Sequence, residues 1–434
     1  MVDATGSRRA DVLVDGDRVV AVGEDLGEDL GGKPTPSRRV LDAGGCLVCP
    51  GLVDLHAHLR QPGREEAETV ETGARAAALG GYTAVVAMPN TEPAIDDAAV
   101  AREVLALGRG ATAEVTVAGA ITVGRAGERL APIAELAALG VRLFTDDGAG
   151  VQDGALMRRA LEYAGGLGVT LAQHCEDTAL ASGGCVHDGA WASRLGLPGV
   201  PAVAEEAMVA RDIALAKLTG SRVHFLHLST AGSVALVRQA LADGAPVSAE
   251  AAPHHFTLTD AEIAGYDPVF RVSPPLRTAD DVEAVRRGLL DGTVAAVATD
   301  HAPHTPESKE TPFDQAPPGM LGLQTALPLT FEALGDGLSP AEVLALVSWR
   351  PAAIAGLLEH DRRPEGVSAH GGPVAPGATA NLCVVDPTAT WVLEVAHLAS
   401  RSRNSPYLGR TLTGRVRHTV LRGEPVVVDA EAQR

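Results

Sequence analysis

Imidazole and carboxylate side chains recur at the ends of apolar stretches in this 434-residue sequence. One stretch ends in His56-Ala-His58, and both imidazoles face the same side of an extended strand because alternate residues point the same way. Imidazole nitrogens with carboxylate oxygens suit zinc or a similar divalent ion, and two ions about 3.5–4 Å apart could share a carboxylate. The residues that we predict as metal ligands all follow such stretches: His56, His58, Asp147, His174, His227 and Asp300.

Eight apolar, β-branched runs must position these side chains, and most are followed by a helical pattern rich in Ala, Leu, Glu and Arg. The runs end at Leu55, Met88, Ile121, Thr145, Gln173, His227, Ala251 and Thr299. Helices are predicted at Ala67–Leu79, Ala155–Ala164, Val203–Leu218 and Asp280–Leu290, the last with an N-cap at Thr278. Nearly continuous apolar strands that alternate with helices indicate a parallel sheet covered on both faces, and eight of them predict a (β/α)8 TIM-type barrel. Functional residues of such barrels gather where the strands end.

Short strand patterns flank the barrel on both sides. The pattern before it covers residues 11–24 and continues to Gly45, and strand patterns return after about Pro376. We therefore predict an α/β chain whose residues 1–48 and 371–434 form a small β-sandwich beside a barrel of residues 49–370.

Composition excludes several classes of function. The formal net charge of −19 disfavours binding to nucleic acid or to an anionic membrane, although cations focused in one cleft could still bind a small anion. No stretch reaches the ~18 uninterrupted apolar residues that a spanning helix requires, and the N-terminus has no apolar signal core. Five cysteines form a sparse, odd set that suits a reducing cytoplasm, which is the location we predict.

The strand-end motifs resemble those of class I, bacterial-type dihydroorotases of the amidohydrolase superfamily. They run in order from about Gly51 to His304 as GLVDLHAHLRQPG, MPNT, FTDDG, AQHCED, HLST, PPLR and ATDHAPH. The resemblance implies that His56, His58 and Asp300 bind one Zn²⁺, that His174 and His227 bind a second, and that Asp147 bridges them. One or two ions per chain are expected, most simply a binuclear pair. The implied reaction is the reversible cyclisation of N-carbamoyl-L-aspartate to (S)-dihydroorotate and water in pyrimidine biosynthesis, by a metal-bridged hydroxide with Asp300 as general acid and base.

The resemblance also implies substrate contacts. Arg60, Asn90 and His304 would hold the substrate carboxylate, and the full predicted set is His58, Arg60, Asn90, Ser273, His304, Pro318 and Gly319. Ser273 stands where the family generally has Asn, and Pro318 stands where many relatives have an aromatic residue. A surface ion pair for Arg60 and a turn role for Asn90 are the structural alternatives.

Other interpretations remain open from the sequence. Arg277 and the pair His254-His255 are interpreted as structural, and Glu307 through Gly322 as a mobile loop over the mouth that orders on binding. A hydantoinase or allantoinase is the nearest alternative enzyme, but those relatives usually carry a carbamylated Lys that VRLFTDDG lacks. A non-catalytic relative that binds aspartate transcarbamoylase is the alternative from another class. A homodimer and an association with that transcarbamoylase are the predicted protein partners.

Overall fold

The computed structural model describes residues 1–26, 39–358 and 363–434. The strands are β1 Val2–Asp3, β2 Gly6–Ser7, β3 Asp11–Asp15, β4 Arg18–Gly23, β5 Leu47–Pro50, β6 Leu52–Ala57, β7 Tyr82–Ala87, β8 Glu114–Val117, β9 Leu143–Phe144, β10 Thr170–Gln173, β11 Val186–His187, β12 Gly199–Val200, β13 Val223–Phe225, β14 Val247–Ala251, β15 Ala296–Val297, β16 Leu382–Val392, β17 Thr411–Leu421, β18 Glu424–Val428 and β19 Glu431–Ala432. The α-helices are α1 Val70–Leu79, α2 Ala98–Leu107, α3 Ile133–Ala138, α4 Gly154–Leu167, α5 Ala190–Leu195, α6 Val203–Thr219, α7 Ala231–Ala242, α8 Pro253–Thr257, α9 Ala279–Leu290, α10 Pro306–Lys309, α11 Ala326–Leu334, α12 Pro340–Val347 and α13 Trp349–Ile354.

Eight parallel strands correspond to the eight predicted runs. They pair as a three-stranded sheet in the order β6-β7-β8 and a five-stranded sheet in the order β9-β10-β13-β14-β15. Single parallel bridges join the two sheets at both edges, between Gly119 and Phe144 and between Ala57 and His301. The strands therefore follow one another around a barrel, with pairing reduced to one bridge at each seam.

Small apolar side chains fill the space that these strands enclose. One buried cluster draws on seven of the eight strands or the residues next to them: Val53, Leu55, Ala84, Val86, Met88, Ala118, Leu143, Ala172, Leu226, Ala296 and Ala298. Its many alanines agree with an aromatic content of 3%. A larger cluster lies between the strands and the surrounding helices, so each strand is covered on both faces, as its nearly continuous apolar sequence predicted.

The predicted helices are present, and capping side chains explain where they begin. Thr69 accepts a hydrogen bond from the Thr72 amide in a capping box, so α1 starts at Val70 rather than at the predicted Ala67. Thr278 caps α9 in the same way through Asp281, as predicted.

A β-sheet domain lies beside the barrel and combines segments from both ends of the chain. Its five-stranded sheet has the order β19-β18-β17-β16-β5, and the β3-β4 hairpin packs on it through a cluster that includes Val19 and Leu382. The first apolar run divides at Gly51, so that β5 joins this sheet and β6 joins the barrel. A Cβ atom at Gly51 would lie 2.1 Å from Thr83 Oγ1, so this change of sheet requires glycine.

The predicted domain boundaries at residues 48 and 370 stay a prediction, and parts of those segments (27–38 and 359–362) lie outside the described residues. All five cysteines are free thiols. Of the helices described, none is both long enough and apolar enough to cross a membrane.

Candidate metal centre

The barrel brings the six predicted metal ligands to one rim. Two groups of ligand atoms each lie within 4.8 Å of one another, and Asp147 belongs to both. The first group consists of His56, His58 and Asp147, and the second of Asp147, His174 and His227. All of these residues are buried, although they come from four different strand ends.

Asp147 lies at the middle of this arrangement. Its Oδ1 atom is 3.4 Å from His56 Nε2 and 3.7 Å from both His174 Nδ1 and His227 Nε2. Its Oδ2 atom is 3.6 Å from His58 Nε2. A carboxylate placed between two pairs of imidazoles in this way is suited to bridge two cations.

Asp300 closes the centre on the side of His56 and His58. Its Oδ1 atom lies 3.5 Å from His56 Nε2 and 3.1 Å from His58 Nε2. Burial alone would raise the pKa values of Asp147 and Asp300, but the neighbouring histidines outweigh it and hold both pKa values well below their usual range. Both groups are therefore carboxylates, the form that binds a metal ion.

The donor set fits divalent ions. His56 Nε2 is buried and faces two carboxylates, yet within the described residues it has no hydrogen-bond partner. His174 Nδ1 and His227 Nε2 face each other at 3.0 Å. Buried polar atoms are normally hydrogen-bonded, so an unpartnered imidazole nitrogen between two carboxylates is suited to bind a metal ion.

Hydrogen bonds from outside the centre orient the two histidines of the first strand. His56 Nδ1 lies 3.1 Å from Glu250 Oε1, whose other oxygen is 3.0 Å from His224 Nε2. His58 Nδ1 lies 2.8 Å from Asn90 Oδ1. Because each oxygen accepts, each Nδ1 carries a proton and each Nε2 is turned toward the centre. The sequence analysis missed Glu250, whose only signal is a carboxylate inside an apolar strand.

Backbone strain is concentrated at the same rim. Arg60, His227 and Asp300 have φ values of +60°, +30° and +45°, a region that residues other than glycine rarely occupy. Such strain persists where the surrounding structure fixes it, commonly at functional sites.

The predicted carboxylate-binding residues lie beside the centre. The Arg60 side chain is buried, and its Nε donates to the Pro303 carbonyl at 3.1 Å. Burial lowers the pKa of Arg60 to about 10, so it remains a cation at neutral pH. Its guanidinium is therefore not the surface ion pair that the sequence left open. Asn90 also donates from Nδ2 to Asp147 Oδ2 at 3.3 Å, so it is more than a turn residue.

His304 connects Arg60 to the loop that follows. His304 Nε2 lies 2.8 Å from the Pro318 carbonyl and 3.4 Å from Arg60 Nη2. The carbonyl and the guanidinium impose opposite demands on this nitrogen, and the shorter contact means that Nε2 donates to Pro318. Burial, followed by the charges of Arg60 and Lys309, lowers the pKa of His304 to about 3, so the ring is neutral.

Ser273, Pro318 and Gly319 lie on two adjoining segments. The Gly319 amide donates to the Arg271 carbonyl at 2.8 Å, which brings the loop end next to the half-buried Ser273. Gly319 has a φ of +134°, and a Cβ there would be 2.5 Å from the Ala302 Cβ. Glycine is therefore required where the loop returns to the barrel.

His254 lies closer to the centre than its structural interpretation suggested. Its Nε2 is 3.9 Å from Asp300 Oδ2, and within the described residues this buried atom has no hydrogen-bond partner. Burial lowers the pKa of His254 to about 4, so the ring is neutral. Its neighbour His255 donates from Nε2 to the Pro274 carbonyl, 3.0 Å away. The Arg277 side chain lies outside the centre, with its Nη1 donating to the Val200 carbonyl at 2.8 Å.

Comparison with known proteins agrees with this fold. The L-hydantoinase (dihydropyrimidinase) from Arthrobacter aurescens superimposes with a TM-score of 0.83 over 100% of this chain and 95% of its own. At 24% identity this likeness shows the fold alone, a TIM-type barrel with a β-sheet domain.

Relatives found by sequence comparison have a higher sequence identity to this chain than that structure has. A family model described as Dihydro-orotase-like matches residues 45–233. The dihydroorotase of Pelotomaculum thermopropionicum is 48% identical over 91% of this chain and 90% of its own length. The dihydroorotase of Streptomyces coelicolor is 47% identical over 98% of this chain and 97% of its own length. Identity at this level over nearly the whole length means that the chain belongs to the dihydroorotase family.

Proposed function

We propose that this protein is a class I dihydroorotase that interconverts N-carbamoyl-L-aspartate and (S)-dihydroorotate with loss or gain of water. The observation that carries the proposal is the single carboxylate of Asp147, which lies within 3.7 Å of imidazole nitrogens from three different strand ends. The absence of a lysine from VRLFTDDG supports a dihydroorotase over a hydantoinase or allantoinase. Cytoplasmic location, a homodimer and an association with aspartate transcarbamoylase stay predictions.

Two divalent ions, with zinc as the expected metal, would be held by the two groups of ligands. His56, His58 and Asp300 would hold the first, His174 and His227 the second, and Asp147 would contact both. Bound ions would supply Lewis acidity that polarises the ring amide carbonyl and lowers the pKa of the attacking water. The orphaned His56 Nε2, buried between two carboxylates, supports this assignment.

The protein's own residues would orient the substrate and move the proton. The cation of Arg60, with Asn90 and His304 beside it, would hold the carboxylate that does not react, so that the amide carbonyl starts near Asp300. In hydrolysis the Asp300 carboxylate would accept a proton from water and then deliver it to the departing ring nitrogen. In cyclisation the same carboxylate would take the proton from the ureido nitrogen as that nitrogen bonds to the carbon of the side-chain carboxylic acid. It would then return the proton to the hydroxyl oxygen that departs from that carbon as water.

Loss of absorbance by dihydroorotate tests the function directly. We expect the purified protein to hydrolyse dihydroorotate with a kcat/KM at least about 100-fold above that for hydantoin or allantoin, because its buried polar groups match a charged substrate. Chelation should remove the activity, and added divalent ion should restore it. Chelator already saturated with metal is the control. Turnover of hydantoin but not of dihydroorotate would contradict the proposal, and full activity in a metal-free preparation would exclude the metal centre.

Replacement of Arg60 by Met tests the carboxylate contact. We expect KM for dihydroorotate to rise about 10- to 150-fold with a smaller change in kcat, because a charge-assisted hydrogen bond contributes about 1.5–3 kcal/mol. Steady-state kinetics measure this, with Arg64→Met as the matched control, since Arg64 is an exposed arginine four residues away. An unchanged KM in Arg60→Met would show that the guanidinium does not bind substrate.

A further inference from the structure

The loop between His304 and Gly319 leaves the barrel at the metal centre and returns to it. Its first residues follow Asp300, and its end returns beside them through an isolated parallel bridge between His301 and Met320. The Pro318 carbonyl accepts from His304 Nε2 at 2.8 Å, so the last turn of the loop contacts a predicted substrate residue. Whatever fixes this loop end therefore also fixes one wall of the candidate substrate site.

A buried ammonium group lies inside this loop. Lys309 is 9% exposed, and its Nζ donates to the carbonyls of Pro317 at 2.8 Å and Pro268 at 3.0 Å, with Arg271 O at 3.4 Å. Two of these carbonyls belong to the segment before Ser273, and the third precedes Pro318. Lys309 therefore joins the two segments on which the sequence departs from the family pattern.

The same two segments are joined at further points. The Arg271 carbonyl accepts from the Gly319 amide at 2.8 Å, and Arg271 Nη1 donates to the Phe313 and Ala316 carbonyls. The Phe313 side chain lies in an apolar cluster with Trp191 and Phe270. The loop that the sequence predicted to be mobile is thus held in the structure by an apolar anchor at Phe313 and by the contact of Lys309 with Pro317 near its end.

The choice of lysine at this position is informative. The sequence has three lysines against 33 arginines, so a cation in this chain is usually an arginine. An ammonium carries three donors on a single atom and can gather three carbonyls around one point, whereas a planar guanidinium spreads its donors in a fork. In the part of the chain that the structure describes, Lys309 forms no ion pair, so charge neutralisation does not explain it. Burial, followed by the charge of Arg271, lowers the pKa of Lys309 to about 7. Hydrogen bonds from Nζ to the carbonyls favour the protonated form.

We propose that Lys309 is a positioning residue for substrate binding, because it holds the Pro317–Gly319 backbone against Pro268–Arg271. Through the Pro318 carbonyl this contact sets the orientation of His304 beside Arg60. The inference rests on the proposed function, since it assigns Lys309 to the substrate side of that same site. Lys309 touches neither the metal ligands nor the reacting atoms.

The test compares Lys309→Met, Lys309→Gln and Lys309→Arg with the unmodified protein. Lys217→Met is the matched control, because Lys217 is half-exposed on α6 and pairs with Asp243. We expect Lys309→Met to raise KM for dihydroorotate about 10- to 100-fold with kcat within about threefold, since a small misplacement of a binding group costs that much. The KM of Lys309→Gln should lie between those of Lys309→Met and the unmodified protein, because the Gln amide keeps two N–H donors. Lys309→Arg should not restore KM, because the guanidinium spreads its donors in a fork.

Hydrogen–deuterium exchange gives a second readout that needs no turnover. The Gly319 amide, bonded to the Arg271 carbonyl, should exchange at least about tenfold faster in Lys309→Met, while metal content stays unchanged. An unchanged KM overturns the proposal. Equal losses in kcat and metal content would mark a general structural role and also overturn it. If the unmodified protein does not turn over dihydroorotate, the proposed function fails, and the exchange rate alone decides whether Lys309 holds the loop. If Lys309→Met does not fold, Lys309→Gln carries the same comparison.

Discussion

Replacement of Asp300 by Asn is expected to lower kcat for dihydroorotate by about two to four orders of magnitude, the usual contribution of general acid–base catalysis. Asn keeps the size of the side chain and one oxygen that can face His58. In the native protein, His58 Nε2 lies 3.1 Å from Asp300 Oδ1. It cannot accept and return a proton. The neighbouring histidines outweigh burial and hold the pKa of Asp300 below its usual range, so the native group is ionised.

Metal analysis must accompany the kinetics, because Asp300 is also a predicted ligand. We would measure kcat by stopped-flow or steady-state kinetics on protein whose divalent ions have been counted. This separates the loss of proton transfer by Asp300 from the loss of bound metal. Asp291→Asn is the control, since Asp291 is an exposed aspartate paired with Arg238. If Asp300→Asn retains its ions and keeps kcat within about tenfold, another group moves the proton. His254 Nε2, 3.9 Å from Asp300 Oδ2, would then be the first residue to examine.

The barrel could be predicted from the sequence because its signals are local. Each of the eight runs is apolar on both faces, and each ends at a polar residue or a turn, so its position requires no knowledge of its neighbours. The capping box at Thr278 is equally local, as its partner Asp281 is three residues away. The eight strands, the predicted helices and the β-sheet domain were therefore predicted correctly.

The change of sheet at Gly51 could not be predicted in this way. CLVCPGLVDL is apolar throughout, and its first half forms β5 only because β16, more than 300 residues later, provides a pairing edge. The C-terminal patterns NLCVVD and TWVLEV show the same limit. They form one strand, β16, with a register irregularity between Asp386 and Thr390. Pairing partners distant in sequence decide both cases.

The candidate site shows a similar division. The predicted ligands were found because imidazoles and carboxylates at strand ends are rare and visible. The groups that orient these ligands were not found from the sequence. Asn90 was interpreted only as a substrate contact, and Glu250 was not considered. Their contacts with His58 and His56 cross from one strand to another and leave no spacing in the sequence. The roles of the ligands themselves stay predictions that measurements of metal binding must test.

Replacement of Asp147 by Ala is the most direct of those measurements. Asp147 is the one residue shared by both groups of candidate ligands, and the chain carries two adjacent aspartates in TDDG. Its neighbour Asp146 instead accepts from the Ile121 and Thr122 amides at 2.9 Å and 3.0 Å, which fastens the seam between the two barrel sheets. Two residues of the same type thus have separate tasks, and each can be removed alone.

Asp147→Ala should reduce the divalent ions from about two per chain to one or fewer and lower kcat/KM at least about 100-fold, because four imidazoles would lose the carboxylate that draws two cations together. Asp146→Asn, which keeps an acceptor oxygen, should retain its ions and lose mainly thermal stability. Elemental analysis of both variants after dialysis shows which of the two aspartates is required for metal binding. Loss of metal from Asp146→Asn with retention in Asp147→Ala would reverse the two assignments. Full metal content in both would mean that neither aspartate joins the two groups, and the binuclear centre would have to be abandoned.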